Sequence, residues 1–140
     1  MIPAEMRERA RWVRHDARKH PLTVHGHAAS VTDPSTWCTY RAARTSDAGV
    51  GVGIVLGDGL GCVDLDDALL PDGSVKPWAQ EVLDEYGPAS ILTEVSMSGR
   101  GLHLFLRMDE APGRRIRNGG VKIEVYSRAR FIAVTGQVFD

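Results

Sequence analysis

Apolar residues in this chain gather into short runs broken by turn-forming residues, and most of the runs lie beyond residue 48. "VGVGIVLG", Asp58-Gly59 and "LGCVDLDD" form two apolar runs around a dipeptide favoured in tight turns, which predicts a β-hairpin over residues 50–67. In "KPWAQEVLDEYG", Pro77 can open a helix, Ala79, Val82, Leu83 and Tyr86 recur on one helical face, and Gly87 can close it. "SILTEVSM", "LHLFLRM", "VKIEVYS" and "RFIAVTG" predict four further strands, separated by "SGRG", the loop "DEAPGRRIRNGG" and a short "RA" segment. Upstream, "PAEMRERARWV" predicts a short N-terminal helix. "TDPSTWCTYRAAR" predicts a second, with Asp33 as N-cap and Pro34 at the first helical position. "KHPLTVHGHAASV" reads as a strand or loop pair pivoting on Gly26. The segment "SDAGVG" marks the boundary between an N-terminal α/β portion, residues 1–48, and a strand-rich portion, residues 49–140, so the fold class is α+β.

Side chains alternate between the two faces of a strand, which sorts each run by parity. Val63 and Leu65 share one face and Asp64 and Asp66 the other. Leu102, Leu104 and Leu106 oppose His103, Phe105 and Arg107, and Val121, Ile123 and Val125 oppose Lys122, Glu124 and Tyr126. If these strands are neighbours, the sheet buries an aliphatic face under helices. Its open face then presents Asp64, Asp66, His103, Arg107, Lys122 and Glu124.

Composition adds little until charge is placed along the chain. With 140 residues and 43% hydrophobic content, a core is possible without disulfides. Cys38 and Cys62 have no CxxC or CxxH spacing, so no structural zinc or disulfide framework is expected, and a reducing cytoplasm is the expected compartment. No apolar window approaches the ~18 residues of a membrane span, so no membrane partner is expected. Net charge is only −1. Yet nine acids face a single lysine between Asp58 and Glu94, and eight bases face three acids between Arg100 and Arg130. An acidic centre beside a basic region suits a cation-dependent site that handles a polyanion.

Asp64 and Asp66 lie about 6.5–7 Å apart along one strand face. With Glu124 from a neighbouring strand they can converge on two divalent cations, and hard oxygen ligands favour Mg²⁺ or Mn²⁺ completed by substrate phosphates. The bland alternative is a solvated strand end in which Asp66 or Asp67 caps the following turn. Ahead of His103, "SMSGRGLH" supplies Ser96, Ser98, Gly99, Arg100 and Gly101. Such a loop can bring backbone N–H groups to a phosphate chain, with His103 and Arg100 adding contacts. It lacks the GxxxxGK[ST] pattern of a P-loop. An ordinary strand histidine bonded to backbone is the alternative for His103.

Taken in order, "CVDLDD", "SMSGRGLHLFL" and "VKIEVYS" resemble three motifs of the archaeo-eukaryotic primase superfamily: an hDhD acidic motif, a Ser/Gly-x-His motif and a third acidic motif. The phage and mobile-element branch of bifunctional primase-polymerase N-terminal domains is the nearest likeness. "SVTDPSTWCTY", "GVGIVLGDG" and "RFIAVTG" extend it over most of the chain. The resemblance implies an RRM-like antiparallel catalytic sheet joined to the N-terminal α/β unit. It implies that Asp64, Asp66 and Glu124 bind two divalent metals, and that His103, with Ser98 and Arg100, binds a nucleoside triphosphate. The implied reaction is attack of a nucleotide 3′-hydroxyl on the α-phosphate of the incoming triphosphate, in phage or plasmid DNA replication. Arg114, Arg115 and Arg117, in the loop before the third motif, are then candidates for single-stranded DNA template phosphates, and Lys122 and Arg130 for nucleotide or primer. Met97 stands where proline is common in that branch, and Glu124 where many members have aspartate. Helical and helicase regions often follow such domains, so a truncated or minimal catalytic module is expected.

Three rival classes fit less well. A D…ExK nuclease would carry lysine at the position of Tyr126, and a rolling-circle initiator would show paired histidines and a helical tyrosine. A non-catalytic RRM-like binding module would offer stacking aromatics, where this face offers only Phe105 and Tyr126. His15, His20, His25 and His27 carry no assignment, and Lys19 and residues 30–36 are candidates for the nucleotide pocket.

Overall fold

The computed structural model describes all residues from Met1 to Asp140. In chain order the elements are α1 (Ala4–Arg7), β1 (Trp12–His15), β2 (Pro21–Leu22), α2 (Tyr40–Thr45), β3 (Gly51–Val55), β4 (Leu60–Leu65), α3 (Pro77–Tyr86), β5 (Leu92–Val95), β6 (Leu102–Arg107), β7 (Arg114–Asn118), β8 (Val121–Tyr126) and β9 (Phe131–Val134). They fold into two compact units, each built on an antiparallel sheet, which makes the class α+β. No helix is long and apolar enough to cross a membrane.

The first unit comprises residues 2–56 and 129–135, and its sheet runs β2-β1-β3-β9. Here the sequence reading needs correction. The expected N-terminal helix stops at Arg7, and Trp12 and Val13 instead pair with Ile54 and Gly53 of β3. Burying Trp12 completely in that pairing outweighs a short helix, which is marginal alone. The expected second helix divides: Asp33 does cap, accepting from Ser35 N–H, but only over a 3₁₀ turn at Pro34–Thr36. A separate helix, α2, then begins behind Thr39, whose side chain accepts from Ala42 N–H. Gly26 is a pivot as expected, at φ +85°.

Another difference concerns the predicted hairpin over residues 50–67. Asp58 and Gly59 do turn, both at positive φ, and Gly57 bridges Leu60. Beyond that bridge the two runs part: β3 pairs with β1 and β9, whereas β4 pairs with β6 and β8. Turn chemistry acts over four residues, while partner choice is decided by the other strands available. The division between the units consequently falls at residues 56 and 57, not at 48 and 49, and β9 returns to the first unit.

The second unit holds residues 57–128 and 136–140, together with Met1, around a sheet ordered β5-β6-β4-β8-β7. The aliphatic face expected from parity is the core: Val63, Leu65, Leu102, Leu104 and Leu106 pack with Ala79 of α3, joined by Trp78, Val82 and Leu83. Each fully buried leucine contributes about 1.5–3 kcal/mol. A single α-helix, α3, supplies this cover, where several helices were expected. β7 was read as loop. It forms a fully exposed edge strand joined to β8 through Gly119 and Gly120, both at positive φ.

Candidate functional site

Register places five charged or ionisable residues in one line across the second sheet. Glu94 of β5 opposes His103 of β6, His103 opposes Asp64 of β4, Asp64 opposes Glu124 of β8, and Glu124 opposes Arg115 of β7. Residues paired this way share a face, so every strand contributes one member of the row. One step along, Asp66, Lys122 and Arg117 occupy the same face, with Asp66 N–H donating to the Lys122 carbonyl and Arg117 opposing Lys122.

Ion pairing stitches the rows together. Arg115 Nε lies 3.1 Å from Glu124 Oε1. The Arg117 guanidinium reaches both Glu124 Oε1 at 3.3 Å and Asp66 Oδ2 at 3.4 Å. His103 Nε2 stands 3.7 Å from Asp64 Oδ1, and its Nδ1 is 2.9 Å from Glu94 Oε2. Asp64 and Glu124 bring two negative charges directly opposite each other, an arrangement that is unfavourable without a cation, as Arg117 and Lys122 bring two positive ones.

The face is less open than parity alone implied. Phe105 and Cys62 are fully buried, and Arg107 sits at the far end of β6 opposite Leu60, away from the acids. Exposure increases along the acidic patch, from a fully buried Glu94 through an Asp64 side chain at 17% to Asp66 at 48%. Access is therefore at the Asp66 end.

The loop joining β5 and β6 lies at that same end. Ala68 and Leu69 N–H groups both donate to the Arg100 carbonyl, which ties the loop to the chain just beyond Asp66. Ser96 Oγ accepts from Gly101 N–H and contacts Ser98 Oγ at 3.0 Å, and Ser98 Oγ accepts from Arg100 N–H. Ser98 thus shapes the loop from inside, with Gly99 at φ +77° making the reversal.

Of the residues singled out from sequence, Asp64, Asp66, Glu124, His103 and Lys122 share one face, with Ser98 and Arg100 in the adjoining loop. Arg115 and Arg117 were expected in a loop facing a template; they lie on β7 and pair with the site's carboxylates. Their neighbour Arg114 has the opposite parity, opposing Val125, and is not part of the row. Arg130 precedes β9 and belongs to the first unit. Glu94 was missed altogether.

Asp67 is separate from the site. Its backbone turns left-handed at φ +53°, and its carboxylate pairs with Lys76 Nζ at 3.0 Å. The hydrogen bond and charge of Lys76, with weaker pulls from Lys122 and Arg100, hold the Asp67 carboxyl below its ordinary value. A carboxyl depressed in the folded state adds stability above its unfolded value, about 3.9, and loses it as pH falls through the folded one. Asp67→Asn, which tolerates the left-handed backbone, is expected to lower the melting temperature slightly at pH 7. That difference from the unmodified protein should shrink as the pH of the melts falls below about 3.9 and vanish once it passes the depressed folded value.

No group of three or more histidine, cysteine or acidic side chains is already gathered around a point where a metal would sit. The donor chemistry nevertheless fits a hard cation: carboxylates from two adjacent strands converge on one positive group, the Arg117 guanidinium, which bridges Asp66 and Glu124.

The sequence matches, over residues 2–139, the family described as Prim-Pol, bifunctional DNA primase/polymerase, N-terminal. The chain belongs to that family. Among curated proteins, the DNA primase-polymerase of Nitratiruptor phage NrS-1 is 33% identical over 124 residues, 82% of this chain. The match covers 17% of that phage protein, so the present Prim-Pol chain corresponds to a small part of its relative. The family match also takes in the first unit, whose sheet contains no member of the charged row.

Proposed function

We propose that this Prim-Pol chain carries template-directed nucleotidyl transfer, as the catalytic portion of a DNA primase and polymerase in phage or plasmid replication within a bacterial cytoplasm. The reading is carried by the cross-strand register that sets Asp64 between Glu124 and His103, beside Asp66. Asp64, Asp66 and Glu124 are the residues that would hold Mg²⁺ or Mn²⁺. Divalent cations bound there supply Lewis acidity, both to the attacking 3′-hydroxyl and to the departing pyrophosphate.

The chain's own groups do the rest. The 96–101 loop, tied beside Asp66, offers Ser98 and Arg100 to the triphosphate, and His103 approaches from the sheet. Lys122 and Arg117 flank Asp66 and would meet phosphates of nucleotide or primer. A single-stranded DNA template and a downstream helical or helicase region are the partners proposed.

A labelled primer annealed to single-stranded template, incubated with deoxynucleotides and Mn²⁺ or Mg²⁺, tests the reading. Metal-dependent, template-matched extension or new short strands are expected. Strand cleavage without synthesis would instead assign the acids to a nuclease.

Arg117 competes with metal in this account. Exposed ion pairs are worth about 0.2–1 kcal/mol each, and Arg117 has two carboxylate partners. Arg117→Ala is therefore expected to strengthen Mn²⁺ binding about two- to tenfold in the absence of nucleotide, measured by calorimetry.

A further inference from the structure

We propose that the outer edge of β7 is a docking site for an extended acidic segment of a partner protein, which adds to the second sheet as a further strand. The proposal goes beyond nucleotidyl transfer and does not depend on it.

The second sheet has two edges, and the chain treats them differently. At β5, residues 137–139 lie alongside as a strand would: Val95 N–H donates to the Gln137 carbonyl, Phe139 N–H donates to the Thr93 carbonyl, and Glu94 bridges Val138. The edge at β7 is left open. That strand is last in the sheet order, and Arg114 to Asn118 are all exposed. An exposed edge invites another chain to pair with it, and proteins ordinarily cover or blunt one.

Register shows which backbone groups are open. Asp66 N–H donates to the Lys122 carbonyl, so Lys122 turns its backbone toward β4. Its pairing with Arg117 on the other side is therefore of the non-hydrogen-bonded kind, and the same holds two residues along for Arg115 opposite Glu124. Arg115 and Arg117 consequently point both N–H and C=O outward from the edge. A peptide strand satisfies donors and acceptors alike, whereas the phosphate backbone of a nucleic acid only accepts.

Charge selects the kind of strand. Both charged rows of the sheet end at this edge on an arginine, Arg115 in one and Arg117 in the other, and Arg114 is exposed on the opposite face beside Ile116, itself 43% exposed. A strand laid along β7 sets its side chains next in those rows. Carboxylates there meet arginines, while basic residues meet like charge. A second copy of β7 is disfavoured on the same ground. Antiparallel pairing centred on Ile116 sets Arg115 against Arg117, and pairing centred on either arginine sets it against itself. The segment that fits carries acidic residues opposite Arg115 and Arg117 and an apolar residue opposite Ile116.

The test uses the full chain and a capped nine-residue synthetic peptide that alternates glutamate with valine or threonine, read by amide hydrogen exchange in NMR spectra. In the free protein the Arg115 and Arg117 amides should exchange fast, and that of Ile116, which faces β8, should be protected. Millimolar peptide should slow exchange at Arg115 and Arg117 about tenfold or more. Lysine in place of glutamate should abolish the protection. N-methylation of the two peptide amides that face β7 should weaken binding about tenfold or more, through the hydrogen bonds removed. Unchanged exchange at Arg115 and Arg117 would overturn the proposal, as would an N-methylated peptide that binds equally well. A short oligothymidylate that shifts β7 resonances where the peptide does not would assign the edge to nucleic acid instead. Protection that rises with protein concentration alone would assign it to a second copy. Primer extension is untouched by any of these results, so failure here leaves the functional reading standing.

Discussion

Replacing Asp64 and Asp66 together by asparagine is expected to abolish metal-dependent triphosphate binding and to lower nucleotide incorporation by about a thousandfold or more. The physical reason is that asparagine keeps the shape but removes two of the three carboxylate charges proposed to hold the cation. Preorganised charge at a reacting phosphate accounts for several kcal/mol of barrier lowering. Neither aspartate is part of the aliphatic core: Asp64 faces away from it, and Asp66 is half exposed, with an ion pair to Arg117 of a kind worth about 0.2–1 kcal/mol. Removing mutual repulsion between Asp64 and Glu124 should leave stability unchanged or slightly raised. Calorimetry with Mn²⁺ and a deoxynucleoside triphosphate, alongside a urea melt, checks both parts. A variant that is folded yet binds the metal–triphosphate as before would remove these carboxylates from the site.

Gly101→Ala is expected to produce the second large effect, on stability and nucleotide affinity at once. A Cβ at this position would stand 2.7 Å from Ser96 Oγ and 2.8 Å from the Leu65 carbonyl oxygen. Ser96 can rotate only by giving up the hydrogen bond that closes the loop. The Leu65 carbonyl cannot retreat, because β4 is held between β6 and β8 at Leu102 and Ile123. The loop must therefore move off the sheet, carrying Arg100 and its ties to Ala68 and Leu69 with it. Overpacking of this kind costs about 1–3 kcal/mol, readable in a urea melt. Triphosphate affinity should fall about tenfold or more, since the displaced segment is the proposed phosphate loop. At Gly99 a Cβ meets open space, so Gly99→Ala should show only the penalty of its left-handed backbone, about 1 kcal/mol.

Strand parity made much of the second sheet legible in advance. Alternation in β4, β6 and β8 is broken only by buried Cys62 and Phe105 on the acidic side, so Val63, Leu65, Leu102 and Leu104 fell to the core and Asp64, Asp66, His103 and Glu124 to the other face. β7 escaped because an exposed edge strand needs no apolar alternation, and "RRIRN" has only Ile116 to offer. Its one local signal was Gly119-Gly120, a dipeptide suited to a tight hairpin immediately before β8. Missing it left Arg115 and Arg117 facing a template instead of the acids.

Glu94 was hidden for a different reason. Its hydrogen-bond partners are nine and forty-two residues away, and no local pattern reports either. A lone carboxylate inside the apolar strand "LTEV" was the available clue, because burial demands a partner. The parting of β3 and β4 is likewise a long-range outcome, invisible at Asp58-Gly59 where the turn itself was correctly anticipated.

The most direct measurement is a crystallographic anomalous-difference map of the protein grown with Mn²⁺ and a non-hydrolysable deoxynucleoside triphosphate. The account predicts manganese peaks among Asp64, Asp66 and Glu124, with the triphosphate against the 96–101 loop and His103 Nε2, and Arg117 released from Glu124. Manganese and triphosphate bound elsewhere, with Arg117 still bridging Asp66 and Glu124, would contradict it.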